Sequence, residues 1–278
     1  MCEPEGFGLS AEAAKEYDRA VQVIGEFTEL SEIQQIIRWM LVQFNHIPNE
    51  HKFANVTATM AAFTRASHDL EAATVLCQVH CYPQALGLLR SVYEAASIGR
   101  TMGLSTSMKM ADQWVKGKWQ PDQKARQFVR NVMYADAEAS EIDAAVESYA
   151  DTYSLLSKWA HITVDSALTP YADGDEYGFA FSLSPRFNED FLVFTLNASY
   201  ILGVYLSYAV YNSVAPDKNT SSEWRAVLDD LNTHKHNLKT GHVPQLIKYA
   251  EQMDLRRDDL VGSIRNSSEF RRHMKNSG

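Results

Sequence analysis

Apolar residues recur every three or four positions along most of this 278-residue chain, a spacing that predicts amphipathic α-helices. Ser10 and Ser31 can each cap a helix, Pro48 lies at a break, and Pro83 fits the first turn of a helix. The predicted helices cover about 10–29, 31 to the break at Pro48, 49–78, 83–103, 105–117, 121–134, 138–161, 188–213, 221–238 and 243–260.

The helical pattern stops between residues 162 and 186, where turn-forming residues surround a short alternating run, Tyr177–Leu183. This segment is predicted to be irregular, with a small hairpin. We find no internal repeat and no linker that would mark a domain boundary. The sequence therefore predicts an all-α, antiparallel multi-helix bundle over residues 1–278 as a single domain, with a frayed basic tail from about residue 265.

Residues 191–214 form the most apolar stretch, but they include Asn197, Asn212 and several hydroxyl side chains. We therefore expect a buried central helix and no membrane contact. The net charge of −9 argues against broad nucleic-acid binding, which depends on many phosphate contacts. Three cysteines and an N-terminus without a signal-peptide pattern favour a reducing, cytoplasmic setting.

The helix predicted from Pro83 contains two charges four residues apart, Arg90 and Glu94, in an otherwise apolar run. They share one helix face with Gly87 and Ser91, where the absent glycine side chain leaves room for a neighbouring backbone or a small ligand. Burying charges is costly unless they are paired. The pair is therefore either a structural clamp or part of a site, and the sequence leaves both readings open.

The helix at 138–161 has an apolar stripe that becomes polar toward its end, through Tyr153, Ser157 and His161, with Lys158 just outside it. A histidine at a helix C-terminus is either a cap or a group favoured as a cation by the helix dipole. If this helix packs against the Arg90 helix, Glu94 and His161 would form a candidate general acid–base pair with Arg90 beside them. Tyr153, Ser157 and Lys158 would then have supporting roles.

Two segments of the chain resemble a family of uncharacterised bacterial helical proteins. They are ALGLLRSVYEAA and, about sixty residues later, YSLLSKWAH. The resemblance spans roughly residues 50–165. It rests on matches at Leu89, Arg90, Ser91, Glu94, Ser157 and His161, and on Asp69, Ala72 and Leu76 in the preceding helix. That family is loosely likened to HEPN and abortive-infection proteins. The resemblance implies a helical fold and an intracellular bacterial setting, and it supplies no established chemistry.

The HEPN likeness suggests a metal-independent ribonuclease, whose hallmark is an Arg followed after four to six residues by His on one helix. This chain does not contain that spacing: Arg38 and His46, like Arg265 and His273, are separated by seven residues. A nuclease would therefore need a different site assembled across helices.

Two further groups could in principle bind metal. Cys77, His80 and Cys81 would lie on one face if the helix continued through them, and His234, His236 and His242 lie close in sequence. Neither group has a matching second motif, so no metal is expected, and the cysteines are at most weak candidates. The sequence contains no dinucleotide-binding motif, no Walker A motif and no nucleophile motif of the α/β-hydrolases. We therefore predict that the protein has no cofactor.

Three functional hypotheses follow, and the first is preferred. The chain is a binding or interaction module, with a role in stress or phage defence suggested by the resemblance alone. Alternatively, it is a ribonuclease or other phosphodiester hydrolase that uses Glu94, His161 and Arg90, or it is a metal-binding bundle. The partner is unknown. A homodimer is expected because several helices have apolar residues on more than one face, and RNA is a weaker candidate suggested by the basic C-terminal region.

Overall fold

The computed structural model describes residues 11–46, 55–105, 107–118, 122–128, 137–160, 172–175, 178–181 and 186–214, together with positions 131, 222 and 226. Within these residues the chain forms eight helices and one hairpin, which confirms the predicted all-α multi-helix bundle. The elements are α1 (Ala11–Gly25), α2 (Thr28–His46), α3 (Val56–Gln78), α4 (Tyr82–Leu104), α5 (Lys109–Val115), α6 (Asp122–Phe128), α7 (Ala139–Ala160), β1 (Ala172–Asp175), β2 (Gly178–Phe181) and α8 (Glu189–Val214).

Helix α4 lies at the centre of the bundle and packs along α3, α7 and α8. It runs antiparallel to α3, because Ser91 contacts Asp69 near the middle of both helices, while Met102 near the end of α4 contacts Asn55 just before the start of α3. One hydrophobic core joins α1, α2, α3, α4, α7 and α8. A smaller cluster fills the space between α3, the end of α4 and α5. The face of α4 that these neighbours leave partly open is the one that carries Arg90 and Glu94.

Helix α8 is buried against α1, α2, α3 and α4, as predicted from its apolar sequence. Several of its polar side chains donate hydrogen bonds to carbonyl oxygens four residues earlier in the same helix. These side chains are Thr195, Asn197, Ser199, Ser207 and Ser213. Among the described helices, α8 is long and apolar enough to cross a membrane, but 78% of its most apolar window is buried inside the protein. Its burial among the neighbouring helices accounts for its composition.

Glycines in α4 allow two neighbouring helices to approach closely. A Cβ atom added to Gly99 would lie 2.6 Å from the Phe63 ring of α3, and one added to Gly103 would lie 2.6 Å from the Ser213 side chain of α8. Both distances are shorter than a normal contact. The two glycines therefore set how near α3 and α8 lie to the end of α4.

Several element boundaries differ from those predicted. The first helix ends at Gly25 and the second begins at Thr28, so the break falls before Glu29. At this break the chain turns and places Phe27 in the core. The predicted helix at 105–117 is present as the shorter α5. The predicted helix at 121–134 is present as α6 over Asp122–Phe128, and most of its remainder lies outside the described residues.

The predicted hairpin within 162–186 is confirmed by the antiparallel pairing of β1 and β2, from Ala172 opposite Phe181 to Asp175 opposite Gly178. The helices predicted at 221–238 and 243–260, and the tail from about residue 265, lie outside the described residues apart from positions 222 and 226.

Candidate functional site

A partly exposed stripe of α4 lies between α3 and α7. Both helices pack against α4, but in the described part of the chain they make few contacts with each other. The stripe consists of Gly87, Ser91, Glu94 and Ile98, each of which keeps part of its surface accessible. We call this stripe and the side chains that border it the α4 groove. Its position agrees with the helix face predicted for Glu94, Gly87 and Ser91.

Arg90 links α4 to α7 at one side of the α4 groove. Its Nε donates to Glu94 Oε1 at 3.0 Å, and its Nη2 donates to the Tyr153 hydroxyl at 2.6 Å. The guanidinium also lies 4.9 Å from the centre of the Tyr153 ring, a distance at which a cation–π interaction is favourable. The Arg90 side chain is 19% exposed and that of Glu94 is 38% exposed. The predicted helix packing therefore brings three of the candidate site residues together.

The remaining predicted site residues lie on α7 or beyond it. Ser157 has a buried hydroxyl with no hydrogen-bond partner in the described structure, whereas Lys158 is exposed. Helix α7 meets α4 closely at its end, because the Cα of Ala160 lies 3.8 Å from where a Cβ on Gly87 would be. His161 lies outside the described residues, so its pairing with Glu94 stays a prediction.

A second charged group borders the α4 groove on the α3 side. Asp69 Oδ2 accepts hydrogen bonds from the Ser91 hydroxyl at 2.6 Å and from Arg65 Nε at 2.7 Å. The Asp69 side chain is 8% exposed and that of Arg65 is 65% exposed. Sequence reasoning did not assign Arg65 to the site. The signal was present, since Arg65 and Asp69 have the same four-residue spacing as Arg90 and Glu94.

A layer of tyrosines lies beneath the Arg90 contact. The Tyr93 ring lies 6.5 Å from that of Tyr153 and 5.4 Å from that of Tyr205 on α8. The Tyr205 hydroxyl shares a 2.9 Å hydrogen bond with Ser97, and the buried Arg100 guanidinium lies 5.9 Å from the Tyr205 ring. This layer connects α7, α4 and α8. It holds the Tyr153 ring, and therefore Arg90, against the core.

Cys77, His80 and Cys81 do not share one helix face, because α3 ends at Gln78 as predicted. His80 N–H bonds to the Cys77 carbonyl and Cys81 N–H bonds to the Leu76 carbonyl, which is the Schellman arrangement that ends many helices. His80 has a positive φ of 61° and is buried. Its Nδ1 lies 3.2 Å from the Tyr82 hydroxyl, so the histidine belongs to the junction between α3 and α4.

Metal coordination has no support in the described part of the chain, where no group of three or more His, Cys, Asp or Glu side chains is placed to hold an ion. Burial raises the pKa of both the Cys77 and Cys81 thiols, which disfavours the thiolate form that binds metals. The second candidate group, His234, His236 and His242, lies outside the described residues.

Comparisons with protein-family models, with curated proteins and with solved structures find no match to this chain. The α4 groove itself is therefore the only indication of function in the described part of the chain. The groove combines two arginines, two carboxylates and three hydroxyls, carried by Arg65, Asp69, Ser91, Arg90, Glu94, Tyr153 and Ser157. Chemically, such a set can recognise a polar ligand that has both hydrogen-bond donors and acceptors.

Proposed function

We propose that this protein is a binding module whose ligand lies in the α4 groove and contacts Arg90, Glu94 and Tyr153. The observation that supports this most is that Arg90 is fixed by Glu94 and Tyr153 while all three side chains stay partly accessible. A guanidinium held in one orientation loses little conformational freedom when a ligand binds. A fixed and accessible arginine is therefore suited to recognition.

The position of the groove supports the same proposal. Its two sides are formed by α3 and α7, and each of these helices packs against the central helix α4. The side chains that border the groove therefore lie on helices and not on loops. Gly87 lies at one end of the groove, where its missing side chain lets the α7 backbone at Ala160 pack close to α4. This close contact fixes the position of α7, and therefore of Tyr153, relative to Arg90. Binding groups on rigid helices lie at defined distances, which favours specificity.

A thermal-shift experiment on the full chain tests this proposal. The probes are mononucleotides, sugars, amino acids, dicarboxylates and a labelled single-stranded RNA. A ligand present at about one hundred times its Kd stabilises the folded state by about 2.7 kcal/mol, which corresponds to a rise in Tm of about 5 °C. We expect at least one probe to produce such a shift, and Arg90→Lys to remove most of it, because lysine lacks the planar fork of donors.

Arg38→Lys is the matched control. Arg38 forms a 2.7 Å salt bridge with Glu71, but it lies between α2 and α3 and not in the groove. This variant should keep the full ligand shift. The proposal fails if no probe stabilises the wild type, or if Arg90→Lys responds as the wild type does.

The hydrolase alternative uses the same arginine and carboxylate and adds His161. The same labelled RNA separates the two functions. Cleavage by the wild type that is lost in both Glu94→Ala and His161→Ala, with Tm values unchanged, would replace the binding module by a hydrolase. Intact RNA after incubation with the wild type would leave the binding module as the better account.

A further inference from the structure

Two hydroxyl side chains of α7 face α4 beside Arg90. Ser157 follows Tyr153 by four residues and precedes Ala160 by three, so the three residues share one side of the helix. Tyr153 contacts Arg90 directly, and the backbone of Ala160 lies against Gly87. Ser157 therefore lies between these two contacts, on the side of α7 that faces α4.

No hydrogen bond in the described part of the protein accounts for the Ser157 hydroxyl. Its oxygen is buried and has no hydrogen-bond partner in the described part of the protein. Other buried serines of this protein, such as Ser199 and Ser207 of α8, donate to a carbonyl oxygen four residues earlier. Alanine would fill almost the same space without leaving a polar atom unsatisfied, so the presence of serine here calls for an explanation.

Arg90 prepares Tyr153 to donate a hydrogen bond. The Tyr153 oxygen accepts a hydrogen bond from Arg90 Nη2, and its own hydrogen can still be donated elsewhere. Because the guanidinium is charged and only 19% exposed, it polarises the phenol and makes it a stronger donor. Glu94 accepts from Nε on another edge of the same guanidinium, so it does not compete with Tyr153 for Nη2.

We propose that the hydroxyls of Tyr153 and Ser157 together bind an anionic oxygen of the ligand, from either a phosphate or a carboxylate group. The proposal rests on the proposed function, since it assigns the class of ligand that the α4 groove takes. Rotation of the Ser157 side chain turns its hydroxyl toward the oxygen that Tyr153 binds, and Arg90 stabilises this oxygen through the Tyr153 hydroxyl that it polarises. Ser157 is then a binding residue that lowers the stability of the ligand-free protein.

Titration of the full chain with sodium phosphate and, separately, with sodium acetate tests this assignment at constant ionic strength. We expect at least one of the two anions to raise the Tm of the wild type, and the comparison identifies which group is preferred. Tyr153→Phe and Ser157→Ala should each weaken binding of that anion about ten-fold, the usual effect of losing one charge-assisted hydrogen bond. Ser157→Ala should also have a higher Tm than the wild type without anion.

Ser154→Ala is the matched control, because Ser154 lies on the same helix but is exposed. It should bind the anion as the wild type does. The proposal is overturned if the wild type responds to neither anion, or if both hydroxyl variants bind as tightly as the wild type. Since Ser157→Ala is expected to gain stability, the test remains decisive even if Tyr153→Phe folds poorly.

The outcome also separates this inference from the proposed function. One such result is a sugar or another neutral probe that stabilises the wild type, loses its effect in Arg90→Lys and keeps it in Ser157→Ala. That result would overturn the anionic-oxygen assignment and leave the binding module standing. No stabilisation by any probe or anion would overturn both.

Discussion

His80 adopts a left-handed backbone conformation at a position where glycine usually ends a helix. Its ring lies edge-on to Phe187 and shares a hydrogen bond with Tyr82, whose oxygen also accepts the Asn188 N–H at the start of α8. Because Tyr82 accepts there, its own hydrogen can be donated to Nδ1 of a neutral His80. Protonation of His80 would make Nδ1 a donor and disturb this link between α3 and α8.

The stability of the protein should therefore depend on pH through His80. Burial lowers the pKa of His80 below its usual value of about 6.5, and Glu16 only partly opposes this. The unfolded chain thus binds a proton at a higher pH than the folded protein does. We expect the free energy of unfolding to fall as the pH decreases from about 6.5 through the lower folded pKa, and to level off below it.

Urea denaturation between pH 7.5 and 5 measures this dependence. His80→Asn is the control, since asparagine tolerates the left-handed conformation and does not titrate. The variant should lose part of the pH dependence that the wild type shows in this range. Identical pH profiles for the two proteins would contradict the role assigned to His80.

At the scale of elements, the helices were predictable because their apolar spacing and their caps are local properties of the sequence. The boundary between α1 and α2 was not predictable from local spacing, because it depends on Phe27 packing into the core. The Arg90–Glu94 contact and the approach of Tyr153 followed from helix spacing and one correct assumption about packing. The Asp69–Ser91 hydrogen bond could not be predicted, because it depends on the register of α3 against α4. The end of α3 at Gln78 agrees with the predicted bound, although His80 rather than a glycine takes the left-handed conformation after it.

The close approach of α4 and α8 gives a prediction at this scale. Gly103→Ala places a methyl group 2.6 Å from the Ser213 side chain, so it should lower the free energy of unfolding by about 1–3 kcal/mol. Gly25→Ala is the control, because an added Cβ there meets nothing within 4 Å. Urea midpoints for both variants provide the measurement. Equal urea midpoints for Gly103→Ala and Gly25→Ala would contradict this prediction and show that α8 can shift away from α4 at little cost in free energy.

At the scale of the whole molecule, the thiol of Cys77 reports on opening of the core. Cys77 is fully buried in the main hydrophobic cluster, whereas Cys81 is partly exposed. A double variant, Cys2→Ser with Cys81→Ser, keeps Cys77 as the single thiol of the chain. We expect this thiol to react with Ellman's reagent only as fast as the protein unfolds, and the rate to rise with urea. Fast labelling without denaturant would mean that α3 opens locally.

The central place of α8 has a consequence for how the chain folds during synthesis. Helix α8 packs against α1 and α2, although most of the described chain lies between them in sequence. While a ribosome is producing α1 to α7, the surfaces that will receive α8 remain uncovered and apolar. Contacts between such distant segments form slowly, and the incomplete bundle is prone to aggregate. We therefore expect the nascent chain to depend on a chaperone until α8 has left the ribosome.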